Sequence, residues 1–153
     1  MPDMKKHIFS AILFLLFSAC FAQDETPVRF SNIWSGRNSE QYEEKFMMIK
    51  NEKEYSELWN SIKDYNKPTK PDSVDFKNYI VIAYFAGDQT NGTEVKKVEK
   101  SGKEITVTYS RLSYDRNCHD ARLLVTPYTI IRIIKQNDCS YKFDTEVKIV
   151  TCE

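Results

Sequence analysis

The chain has 153 residues, enough for one domain with its own core, and carries 22 basic and 22 acidic side chains. Those charges are scattered rather than run together, so a nucleic-acid surface and an anionic-lipid surface are both unexpected. The glycines stand apart at Gly36, Gly87, Gly92 and Gly102, so no glycine-rich phosphate loop is present.

Met1 to Ala22 reads as a secretory signal. Lys5 and Lys6 supply the positive start, and Ile8 to Ala19 is an apolar stretch of about 12 residues, short of the roughly 20 that span a bilayer. Two processing routes fit. Cys20-Phe21-Ala22 before Gln23 places small residues where the general signal peptidase needs them. Phe17-Ser18-Ala19-Cys20 has the shape of a bacterial lipobox, with Phe17 where leucine is usual, and makes Cys20 the lipidation candidate. On either route the protein is expected to be exported: periplasmic, secreted or lipid-anchored in a bacterial envelope. Contact with the membrane is expected only through a lipid on Cys20. Cys118, Cys139 and Cys152 remain, an odd number in an oxidising compartment. Cys139 and Cys152 lie in adjacent strand-like segments and are the candidate disulfide, although spacing leaves the connectivity of the three open.

Residues 23–33 form a polar leader and a first strand, with Val28, Phe30 and Ile33 loosely alternating. The main domain is expected over 34–153. Trp34-Ser35-Gly36 reads as a turn, and Phe46 to Ile49 as a short buried strand. A helix is predicted from about Glu52 to Lys63. Asn51 is its N-cap, Glu54 completes a capping box, and Tyr55, Leu58, Trp59 and Ile62 form one apolar stripe. That stripe makes Trp59 a core anchor in preference to a ligand platform. Pro68 and Pro71 then prevent the helix from continuing.

Tyr79 to Ala86 is eight apolar or aromatic residues in succession, closed by Gly87. A strand with one wet face would alternate, so this one is expected to be central and covered on both faces. Asn91-Gly92 reads as a tight turn. A hairpin follows around Ser101-Gly102, and Ile105, Val107 and Tyr109 alternate in its second arm. Val95 and Val98 in the first arm are three apart, which a bulge would reconcile. Arg111 to Arg122 is expected to be a polar loop. Thr129 to Ile134, after Pro127, is an apolar strand suited to pair with Tyr79–Ala86. Two last strands are expected around Tyr141/Phe143 and Val147/Ile149. The fold class that follows is α+β, mostly antiparallel β, a single domain with one short helix packed on a sheet or small β-sandwich.

The densest chemical cluster is Tyr114, Asp115, Arg116, Cys118, His119 and Asp120, within Arg111 to Arg122. Adjacent Cys118 and His119 point to opposite sides of an extended chain, a poor geometry for a thiol nucleophile and its base. Consecutive Cys, His and Asp also lack the spacing of zinc ligands. No Gly-x-Ser-x-Gly and no close carboxylate pair in an apolar setting occurs. The sequence therefore gives no catalytic residues, no cofactor and no metal site, and the expectation is a non-enzyme. Arg111, Tyr114, Arg116 and His119 are the candidate partner-binding loop, with residue types favoured at interfaces.

Several segments resemble the C-terminal domain of the PrcB family. They are Val74-Asp75-Phe76, Val81 to Gly87, Asn91-Gly92, the Ser-Gly hairpin, Cys118, and Thr126-Pro127-Tyr128-Thr129-Ile130-Ile131-Arg132-Ile133. Trp34-Ser35-Gly36 and Tyr55-Ser56-Glu57-Leu58-Trp59 resemble segments that precede that domain. Thr93 departs from the pattern, where an aromatic is common, and so does Asn91, where glycine is usual. The resemblance implies an exported, non-enzymatic accessory domain that associates with and stabilises a secreted protease or another envelope protein. The alternative reading is a small-ligand-binding envelope protein.

Overall fold

The computed structural model describes residues 25–88, 90–115, 117–118 and 124–151. The signal segment, Cys20, Arg116, His119 and Cys152 lie outside the described residues. The elements are β1 (Thr26–Pro27), β2 (Phe30–Gly36), β3 (Glu44–Ile49), α1 (Glu52–Ser61), β4 (Tyr79–Ala86), β5 (Gly92–Ser101), β6 (Glu104–Tyr114), β7 (Tyr128–Ile134) and β8 (Ser140–Val150). They form two four-stranded sheets, one ordered β1-β5-β6-β8 and the other β2-β7-β4-β3. Pairing is antiparallel except between β6 and β8, which run parallel. The α+β, mostly antiparallel class is as expected, and the helix and the sandwich occur together.

β4 explains the layering. It pairs with β3 on one side and β7 on the other, and every residue from Ile80 to Ala86 is buried. Val81, Ala83 and Phe85 face a core with Tyr55, Leu58, Trp59 and Ile62 of the helix layer. Ile80, Ile82, Tyr84 and Ala86 face a second core with Val98, Ile105, Val107 and Tyr109 of the opposite sheet. An unbroken apolar run is what a strand needs when period-two side chains enter two cores.

The helix start is built as its sequence suggests. Glu54 N–H donates to Asn51 Oδ1 at 2.9 Å, while Glu54 Oε2 accepts from Lys50 N–H at 3.0 Å. The carboxylate thus reaches one residue further back than in the usual capping box. Trp59 is buried, its indole N–H donating to Pro68 O at 3.0 Å, and Lys67 Nζ sits 4.7 Å from the ring centre.

Four expectations need correction. Trp34-Ser35-Gly36 continues β2 instead of turning, with an irregularity between Asn32 and Trp34. Gly36 is there for close approach: a Cβ would collide with Asp64 Oδ2 and lie 2.6 Å from the Tyr128 ring. Asn91-Gly92 is no left-handed turn, because neither residue has positive φ and Gly92 opens β5. Arg111 and Tyr114 belong to β6, which stays hydrogen-bonded between β5 and β8 beyond Ser110; a strand paired on both sides tolerates polar side chains. The last two expected strands are one, β8, because Tyr141, Phe143, Thr145, Val147 and Ile149 keep a single period-two face. The bulge expected in β5 is present, between Val95 and Lys97.

Candidate functional site

Of the residues singled out in the sequence, Arg111 and Tyr114 lie at the end of β6, with Cys118 just beyond it, where β6 and β8 run past the aromatic core. Parallel register places Ile105 beside Tyr141, Val107 beside Phe143, Arg111 beside Val147 and Ser113 beside Ile149. Phe46 stacks on Tyr84 at 4.6 Å and on Phe143 at 4.9 Å, and Tyr84 lies 4.5 Å from Tyr109. This aromatic ladder fills the inner face as far as Phe143. Beyond it, on the same face, Val147 and Ile149 are 66% and 69% exposed.

A polar network closes the core at that level. Tyr84 O–H donates to Glu44 Oε1 at 2.8 Å, and Arg111 Nη1 approaches Glu44 Oε2 at 3.6 Å. Burial, then the hydrogen bond to Glu44, pushes the Tyr84 hydroxyl far above the ordinary phenol range. The phenol therefore stays protonated as a donor. Tyr42, Glu43, Gly87 and Asp88 border Arg111 in a shallow depression. Arg111 Nε is buried without a hydrogen-bond partner, so this guanidinium has donor capacity left over.

The stretch after β6 is stitched to β8. Asp115 N–H donates to Val150 O at 3.0 Å, Cys118 N–H to Asp115 O at 2.9 Å and Asn117 N–H to Asp115 Oδ1 at 3.1 Å. Tyr114 N–H donates to Asn91 Oδ1 at 3.2 Å. Cys118 is buried and disulfide-bonded, with Sγ 3.8 Å from Val150 O. Cys139 is a free thiol. The expected Cys139–Cys152 bridge is thereby corrected: Cys139 stands one residue before β8 and, like Tyr141 and Phe143, packs against the sandwich core.

Neither family models, curated proteins nor solved structures give a match to this chain. The PrcB likeness rests on the sequence segments quoted above. Among the described residues no three His, Cys, Asp or Glu side chains group as metal ligands, and no helix is long and apolar enough to cross a membrane.

Of the four residues proposed as a binding loop, Arg111 and Tyr114 fall on one strand, 111 on the inner face with Val147 and 114 beside Val150. Sequence reading missed Val147 and Ile149 as surface residues because alternation predicts a buried face. Only the length of the partner sheet reveals that the face outruns its cover.

Proposed function

We propose that the protein is a non-enzymatic accessory domain of the bacterial envelope that binds an extended segment of another exported protein along β8. The observation that carries this reading is the exposed pair Val147 and Ile149 on an 11-residue edge strand. Among the described residues β8 pairs only with β6, so its outer row of N–H and C=O groups is open. A strand added there would gain main-chain hydrogen bonds and bury side chains on Val147 and Ile149. Arg111, flanked by Glu44, offers a polar anchor beside that apolar strip.

The outward face of the same sheet argues for a directed edge rather than a sticky one. Lys148 pairs with Glu94 at 3.2 Å, Lys142 with Asp144 at 3.2 Å, and Lys96 with Glu146. These exposed pairs stabilise little but keep that face hydrated. The PrcB likeness and the secretory segment Met1–Ala22 support an envelope partner, with a secreted protease as the family-based candidate.

Affinity capture from envelope extract tests the reading. The wild-type protein is expected to retain a defined partner, and the Val147→Lys/Ile149→Lys variant to lose it with its melting temperature unchanged. Equal capture by both proteins would contradict the assignment to β8.

A further inference from the structure

A second site lies at the C-terminal end of β2. A cleft of about 490 Å³ is lined by Trp34, Gly36, Arg37, Asn38, Asp64 and Leu124, among others, a size within the range of small-molecule pockets. Its wall holds a carboxylate that is nine-tenths buried: Asp64 is 6% exposed. Asp64 Oδ1 accepts from Asn66 N–H at 3.0 Å, and Oδ2 accepts from Tyr128 O–H at 3.1 Å. That uses about half the lone-pair sites of a carboxylate. Glycine at 36 is the condition for this placement, since any Cβ would collide with Asp64.

Two donors beside it lack acceptors. The Trp34 indole N–H neighbours the Tyr128 hydroxyl and opposes the upward push that burial and Asp64 give this phenol. It nevertheless makes no hydrogen bond of normal geometry, although the atom is buried. Arg37 is exposed, and its guanidinium forms no ion pair among the described residues. The Asp64 charge also acts on Lys67, which is held over the Trp59 ring. The cleft thus presents one carboxylate and one guanidinium that do not neutralise each other, with Trp34, Leu124 and Val125 as apolar wall.

We propose that this cleft binds a small zwitterion, an α-amino acid or dipeptide with an apolar side chain, its ammonium group on Asp64 and its carboxylate on Arg37. A simple anion would meet Asp64, and a simple cation would meet Arg37; a ligand carrying both charges satisfies each. The Trp34 indole N–H supplies a further donor to the carboxylate end. This site is independent of the β8 edge, and either stands without the other.

The two tryptophans, Trp34 and Trp59, make the test direct. In a ¹⁵N-labelled sample of the exported protein, L-leucine or leucyl-leucine is titrated while both indole resonances are followed. The Trp34 resonance is expected to shift saturably, and Trp59, already bonded to Pro68, to stay. N-acetyl-leucine and leucinamide, each lacking one charge, are expected to bind about 10- to 100-fold more weakly, as is the exposed-site variant Arg37→Ala. No saturable Trp34 shift with either ligand would overturn the proposal. So would an equal response to the blocked analogues, or unchanged affinity in Arg37→Ala with the Trp59 resonance in place.

Discussion

Gly36 shows how much a single missing side chain can decide. It sits in a regular strand with ordinary backbone angles, so its requirement is steric: Asp64 and the Tyr128 ring occupy the space of a Cβ. Gly36→Ala is expected to cost about 1–3 kcal/mol, the range for overpacking, read as a lowered denaturant midpoint; an unchanged midpoint would show that Asp64 moves away freely. Gly87 is a different case, with φ of 73° and the Tyr42 carbonyl 2.9 Å from a built Cβ. The cysteines can be checked as directly. Cys139 is free, Cys118 is bridged, and Cys118 Sγ lies against the carbonyl of Val150, two residues before Cys152. Non-reducing peptide mapping is expected to join Cys118 to Cys152 and leave Cys139 open to alkylation. A Cys139-containing disulfide would refute that assignment.

At the level of elements, the chain was most legible where local chemistry and burial agree. The Asn51–Glu54 cap, the Tyr55/Leu58/Trp59/Ile62 stripe and the doubly buried β4 all follow from residue pattern, as does the β5 bulge implied by Val95 and Val98. Less legible were places where a neighbour rescues an unpromising sequence. Ser110 to Tyr114 is largely polar yet remains strand because β8 pairs with all of it and β5 with it as far as Leu112. The cleft escaped sequence reading altogether, since Arg37 and Asp64 are 27 positions apart and come to one cleft only through the β2–β7 pairing and the Asp64–Tyr128 hydrogen bond. Asn51→Ala is expected to lower stability by about 1 kcal/mol, visible in thermal melts. The buried tyrosines set the alkaline limit. Burial raises Tyr55 to about 12 and pushes Tyr84, Tyr109 and Tyr128 higher still. The neutral phenol is the folded form, so this stability is complete below about pH 10, the unfolded value, and is lost as pH rises toward and through the folded values. Denaturant midpoints should therefore hold to about pH 10 and fall above it; a flat profile to pH about 12 would contradict it.

The whole molecule is a helix layer and two sheets in which the core and the proposed binding surface share the same strands. β6 and β8 contribute Ile105, Val107, Tyr141 and Phe143 to the interior, then carry Arg111, Val147 and Ile149 beyond it. A rigid, fully paired base under a short uncovered strip suits recognition of an extended chain, because the docking strand needs no rearrangement of the scaffold. At that end buried Tyr84 donates to Glu44, and Glu44 also faces Arg111, whose Nε keeps a donor to spare. The most direct measurement places a photo-crosslinking amino acid at Val147 and, as a control, at Lys97 on the opposite face of the sheet, in cells exporting the protein. One discrete heterologous adduct is expected from position 147 and none from 97. Absence of an adduct at 147, or the same adducts from both positions, would contradict it.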